Sequence, residues 1–86
     1  MKNKEFYISE MLDVSALVIH ANANSDIDNY FVIEVNRSGA SFYHLFKNEI
    51  AKTVHTRSWI SFDLENYVEF EDFKPTVQTY LEGLAL

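Results

Sequence analysis

The sequence predicts a small α+β domain: an antiparallel sheet of four to five strands with a C-terminal helix packed on one face. Short runs of β-branched and aromatic residues alternate with polar ones through the middle of the chain, which is typical of strands. The C-terminal residues instead keep a helical spacing of apolar side chains. The chain has 86 residues, 48% of them apolar, with two glycines and one proline. These numbers favour one compact domain over residues 1–86 without long loops.

The N-terminal quarter allows two interpretations. Residues 14–22, VSALVIHAN, are rich in β-branched side chains and short, which favours a strand. The alternative is a helix over residues 5–20, because short apolar runs do not distinguish the two states. That helix would carry an apolar side made of Ile8, Met11, Leu12, Ser15 and Ile19.

The middle of the chain predicts a hairpin. Residues 22–29, NANSDIDN, are typical of a loop, since Asn and Asp bond readily to nearby main chain. Residues 30–36, YFVIEVN, form the clearest strand of the sequence. The turn Arg37-Ser38-Gly39 follows, in which Gly39 can adopt a positive φ. Residues 42–46 are expected to return as the second strand.

The next segment is ambiguous between helix and strand. Residues 41–55 also carry apolar side chains near helical spacing, so we expect a helical piece around residues 47–54. Residues 53–63 alternate again and predict a further strand.

The C-terminus predicts a short helix near residues 75–82. Pro75 suits a first helical turn, and Gly83 can end the helix. An apolar face follows the i, i+3, i+4, i+7 spacing, formed by Val77, Tyr80, Leu81 and Leu84.

The stretch SFDLENYVEFEDF, residues 61–73, is the most unusual of the sequence. It holds five acidic and four aromatic residues and no basic one. Even positions from 62 to 70 are mostly apolar and odd positions from 63 to 71 mostly acidic, which predicts a strand or a hairpin turning near residues 65–66. Alternate strand residues lie about 6.6–6.8 Å apart, so the predicted row of carboxylates is Asp63, Glu65, Glu69 and Glu71, with Tyr67 between them. The ordinary explanation is the polar, aggregation-resistant face of a sheet.

Charge favours a protein partner with a basic surface. The chain has thirteen acidic and seven basic residues, which gives a net charge of −6. This sign opposes direct binding to nucleic acid or to anionic membranes. The predicted partner-binding residues combine the acidic row with aromatic anchors: Asp63, Glu65, Tyr67, Glu69, Glu71, Asp72, Tyr43 and Trp59.

In composition and charge the chain resembles phage- and plasmid-encoded inhibitors of host defence, such as anti-CRISPR and antirestriction proteins. The resemblance implies a non-enzymatic inhibitor that occupies the nucleic-acid-binding surface of a host protein. No sequence motif supports the resemblance, so it assigns no functional role to any single residue. The alternative is an assembly module, such as a homodimer, whose acidic side is only solvated.

Enzymatic chemistry is not expected. No cofactor motif is present, and His20, His44 and His55 lack metal-ligand spacing, so we expect neither a cofactor nor a metal. A small nuclease is the remaining enzyme class, with two histidines as acid and base and Lys52 or Arg57 on the phosphate. Its strand face would be Thr53, His55, Arg57 and Trp59.

Cysteine is absent and no apolar run approaches the ~18 residues of a membrane span. The N-terminal apolar stretch is interrupted by acids, unlike a signal peptide. We therefore expect a cytoplasmic protein, in the host cytoplasm if phage-encoded.

Overall fold

The computed structural model describes residues 4–36, 39–56 and 67–85. Its α+β class is as predicted. The elements in chain order are α1 (Lys4–Asn24), β1 (Asn29–Asn36), β2 (Gly39–Phe46), β3 (Glu49–Thr56), β4 (Tyr67–Val68) and α2 (Phe70–Gly83). Strands β1, β2 and β3 form an antiparallel sheet, and the two-residue β4 joins β3 in parallel. Among the described residues, three antiparallel strands are therefore present instead of the predicted four to five.

The strand predicted at residues 14–22 is wrong, because this segment belongs to helix α1. Val14, Val18 and Ala21 are buried at i, i+4, i+7 spacing and face the sheet. The side that the alternative helix interpretation singled out is a different one: Ile8, Leu12 and Ile19 are exposed. Apolar residues thus lie on two sides of α1. Across the described ranges, neither this helix nor α2 is long and apolar enough to cross a membrane.

The predicted hairpin is confirmed. Strand β1 pairs with β2 from Asn29↔Phe46 to Asn36↔Gly39 without a break in register. Gly39 has a φ of 135°, a backbone conformation that favours glycine. The two turn residues 37–38 lie outside the described residues.

The helical piece expected at residues 47–54 is wrong. Lys47 and Asn48 have φ values of 52° and 66° and form a two-residue turn into β3. Such a turn matches the twist of a hairpin. Within β3 the register shifts and leaves Ala51 without a partner, so Ile50 pairs with Leu45. This irregularity interrupts the alternation, so Ile50 and Val54 lie on opposite faces of the sheet although they are four residues apart. Of the strand predicted at residues 53–63, the part after Thr56 lies outside the described residues.

Helix α2 is confirmed but begins at Phe70, five residues before the predicted start at residue 75. Pro75 therefore lies inside the helix, and Glu71 and Asp72 lie in its first turn. Acidic side chains are favourable there because the N-terminal end of a helix carries a partial positive charge. The predicted strand row of carboxylates does not extend through residues 70–72.

Both helices pack on one face of the sheet. Helix α1 contacts β1, α2 contacts β3, and the helices contact each other. The buried core between the layers consists of Val14, Val18, Ala21, Phe31, Ala40, Phe42, Val54, Phe73, Val77 and Leu81. We call the other sheet face, which no described element covers, the uncovered face. It carries cross-strand rows such as Tyr30–Leu45–Ile50 and Val32–Tyr43–Thr53. On that face Tyr30 and Ile50 are more than half exposed.

Candidate binding groove

An apolar groove of about 340 Å³ opens between α1 and the end of the β1–β2 hairpin. Its walls come from three elements: Tyr7, Ile8, Met11, Leu12 and Ser15 of α1, Val35, Asn36 and Gly39 of the hairpin, and Phe70 of α2. None of these residues is charged, although the chain has a net charge of −6. The groove is therefore a neutral, apolar site on an acidic protein.

The α1 wall exists because this helix is apolar on two sides. Its buried side fills the core with Val14 and Val18. Its other apolar side exposes 52% of Ile8, 66% of Leu12 and 69% of Ile19. A helix that is apolar all round is normally buried all round. Exposed apolar patches rimmed by polar residues mark interaction surfaces, so this side of α1 is the strongest candidate surface.

Aromatic contacts fix one end of the groove. The rings of Tyr7 and Phe70 meet edge to face with centroids 4.5 Å apart, and Phe6 contacts Tyr7 at 5.6 Å. These contacts hold the beginning of α1 against the beginning of α2. The groove is thus shaped by packed side chains of two helices before any ligand arrives.

The sheet side of the groove is an open strand edge. Asn22 of α1 bonds both backbone groups of Phe31: its Oδ1 accepts from the Phe31 N–H at 2.9 Å, and its Nδ2 donates to the Phe31 carbonyl at 2.8 Å. The N–H and C=O groups of Phe31 therefore point away from β2, and by alternation so do those of Ile33 and Val35. Over the described part of the chain, the outward N–H and C=O groups of Ile33 and Val35 have no hydrogen-bond partner.

Among the described residues, none of the predicted partner-binding residues lines this groove. Tyr43 lies half-buried on the uncovered sheet face, with its ring 5.6 Å from that of His55. Glu69, Glu71 and Asp72 are exposed at the beginning of α2. Tyr67 lies in β4. The remaining three, Asp63, Glu65 and Trp59, lie outside the described residues.

Lys74, the basic residue of α2, already forms ion pairs with acidic residues of α1. Lys74 donates to Asp13 Oδ2 at 2.7 Å and lies 3.9 Å from Glu10 Oε2. The hydrogen bond with Asp13 raises the pKa of Lys74, so the ammonium stays charged. This ion pair ties α1 to α2 and leaves Lys74 bound to acids of α1.

His44 belongs to a buried hydrogen-bond network. It is 5% exposed, and its Nδ1 lies 2.6 Å from the Tyr80 hydroxyl and its Nε2 2.7 Å from Asn29 Oδ1. The Asn29 amide nitrogen donates to Asp26 at 3.0 Å, which turns its oxygen toward His44. His44 therefore donates from Nε2 and accepts at Nδ1 as a neutral ring. Burial lowers the pKa of His44 and raises the pKa of Tyr80.

The three histidines do not share a site. His44 lies on the helix-covered sheet face, whereas His55 lies on the uncovered face with its Nδ1 2.8 Å from Ser41 Oγ. His20 is exposed on α1 beside Asn24. His44 and His55 are thus not the acid and base pair that a nuclease requires. Among the described residues, no three His, Asp or Glu side chains are grouped to hold a metal ion.

No protein-family model, curated protein or solved structure compared with this chain matches it. The sequence does not reveal the strand side of the groove, because residues 30–36 predict a strand but not its position at the edge of the sheet. The α1 side was visible in the helical spacing of Ile8, Leu12 and Ile19, but nothing in that spacing separates a buried side from an exposed one.

Proposed function

We propose that this protein is a small non-enzymatic protein-binding module, and that the groove between α1 and β1 is its binding surface. The observation that carries the proposal is the exposed apolar side of α1 over a neutral groove on an acidic protein. An apolar side chain of a partner would gain about 25 cal/mol for each Å² it buries there. The net charge of −6 favours a partner segment with basic flanks.

Exchange of Leu12 for aspartate is expected to weaken binding to linear peptides at least about tenfold, a loss of ~1.4 kcal/mol. The new carboxylate would be desolvated by any apolar side chain entering the groove. The measurement is recovery of binders from a displayed library of random linear peptides on the unchanged protein and on the variant.

Ile27→Asp is the matched control, because Ile27 is fully exposed in the α1–β1 loop and does not line the groove. Its recovery of peptides should equal that of the unchanged protein. Equal recovery on all three proteins would contradict the proposal. A dimer in solution that only Leu12→Asp dissociates would instead indicate the assembly function.

The acidic beginning of α2 supports a second candidate, the inhibitor of a nucleic-acid-binding protein. Glu69, Glu71 and Asp72 are exposed together there. The nearby Lys74 is bound to α1 acids. In this proposal the carboxylates occupy a basic surface that otherwise holds phosphates, and they steer the encounter between the two proteins.

Joint exchange of Glu69 and Glu71 for lysine tests this candidate. We expect it to abolish capture of a basic protein from a lysate of the source organism at ~50 mM salt, while ~500 mM salt weakens capture by the unchanged protein. The control is Glu82→Lys, a reversal at the other end of α2. Capture that survives the double exchange would eliminate this candidate and leave the groove.

A further inference from the structure

The geometry points to strand addition: an extended segment of a partner protein pairs with the outward edge of β1 at Ile33 and Val35 and places apolar side chains under α1. This inference rests on the proposed binding function of the groove and names the conformation of its ligand. In such recognition, main-chain hydrogen bonds supply affinity and alternate side chains supply specificity.

Asn22 shows that this edge accepts a peptide-like group. Its side-chain amide, which has the same donor and acceptor as a peptide bond, makes both bonds to Phe31 at 2.8 and 2.9 Å. This is the exchange of a hydrogen-bonded pair in an antiparallel ladder. Asn22 thus occupies the edge at one position and ends the open stretch, which leaves Ile33 and Val35 for a ligand.

The pleat of the sheet determines the ligand pattern. Residues opposite Ile33 and Val35 share their face, on which Ile33 packs against the core and Val35 lines the groove. The residue between them lies beside Glu34, on the uncovered face. The matching ligand therefore has three successive residues in the order apolar, basic, apolar. Its basic residue is favoured by Glu34 and by the net charge of −6.

A second copy of this chain fits the edge poorly. Two β1 edges would pair about 4.8 Å apart, whereas helix axes need about 8–10 Å. Helix α1 packs on β1, and its Asn22 reaches the outer edge of that strand, so two α1 helices would collide. Pairing of Ile33 with Val35 of the copy would also set Glu34 opposite Glu34, which is destabilising. A single extended segment meets neither obstacle.

The probe for the experiment is the capped peptide Lys-Ile-Lys-Ile-Lys, titrated into the isotope-labelled protein and followed by the backbone amide signals. We expect the amides of Ile33 and Val35 to shift and to exchange more slowly with solvent, because they gain acceptors. A peptide of the same composition ordered Ile-Ile-Lys-Lys-Lys is the pattern control. No change at Ile33 and Val35 at millimolar peptide would overturn the inference.

Two N-methylated peptides separate strand addition from simple apolar binding. Methylation of both isoleucine nitrogens removes the N–H groups that would bond to β1, and should weaken binding at least about tenfold. Methylation of the central lysine nitrogen alters an N–H that faces away, and should leave affinity within about twofold. Equal loss from both peptides, or none from either, overturns strand addition.

Two protein variants test strand addition by changing the β1 edge instead of the peptide. Val35→Pro removes one outward N–H and keeps the β1–β2 ladder, since proline is tolerated on the free side of an edge strand. Val35→Ala keeps the N–H and shortens the apolar side chain. We expect Val35→Pro to weaken binding at least about tenfold and Val35→Ala to weaken it less. If Leu12→Asp abolishes binding while Val35→Pro and the methylated isoleucines do not, the groove binds its ligand without strand addition. If Leu12→Asp has no effect, the proposed function itself fails.

Discussion

Exchange of Phe42 for alanine is expected to lower the free energy of unfolding by about 3–5 kcal/mol. Phe42 is fully buried in the middle of β2, with its ring centroid 6.4 Å from that of Phe31 and 6.0 Å from that of Tyr80. It thus contacts both the sheet and α2. A domain of 86 residues has a free energy of unfolding of roughly 4–13 kcal/mol, so the cavity left by this exchange removes a large part of it.

Urea unfolding followed by circular dichroism measures this loss. Phe46→Ala is the matched control, because Phe46 lies on the same strand and is 43% exposed. We expect its cost to stay below about 1.5 kcal/mol, since the alanine leaves no enclosed cavity. Similar losses for the two variants would mean that Phe42 does not occupy the centre of the core.

Acidification from pH 7 to pH 5 is expected to destabilise the protein through His44, by at most about 2 kcal/mol. Burial lowers the pKa of His44 in the folded state below its ordinary value of 6.5. The unfolded chain therefore binds more protons in this range. The stabilisation is complete above pH 6.5 and is lost as the pH falls from there toward the folded-state pKa.

The residues around His44 also predict that its protonation destabilises the folded state. Tyr80 and Asn29 bond to its two nitrogens, and its cross-strand neighbour Lys52 is a cation. Protonation would put a second positive charge on a buried ring whose Nδ1 already accepts a hydrogen bond.

The free energy of unfolding at pH 7, 6 and 5 is measured for the unchanged protein, for His44→Gln and for His20→Gln. We expect the His44 variant to be less stable at pH 7 and to lose less stability on acidification. The exposed His20 serves as control and should keep the full pH dependence. A His44 variant with the pH dependence of the unchanged protein would contradict the assignment.

The hairpin and α2 are elements that local sequence patterns predict correctly. The strand-forming residues 30–36 and the helical spacing of Val77 and Leu81 each predicted the element that forms. In these segments the fold buries Phe31 of the strand and Val77 and Leu81 of the helix, which lie on the sides that the pattern makes apolar. Local pattern and tertiary burial agree there, which makes such segments predictable.

Helix α1 and strand β3 show where local patterns fail. The β-branched run at Val14 and Val18 favours a strand in isolation, but packing on the sheet stabilises a helix, as it does for most helices in proteins. The register shift that leaves Ala51 unpaired in β3 interrupts the alternation expected of a strand. A register shift depends on the neighbouring strand, so one segment alone does not reveal it.

The sequence by itself determined the α+β class, the acidic charge and the neutral, apolar character of the residues that line the groove. Only the tertiary structure decided that Ile8 and Leu12 stay exposed, and that β1 is an edge strand of the described sheet, with the N–H and C=O groups of Ile33 and Val35 pointing outward. The physical reason is that exposure and edge position depend on which elements become neighbours. Composition and periodicity describe each element alone, whereas a groove between α1 and β1 belongs to neither.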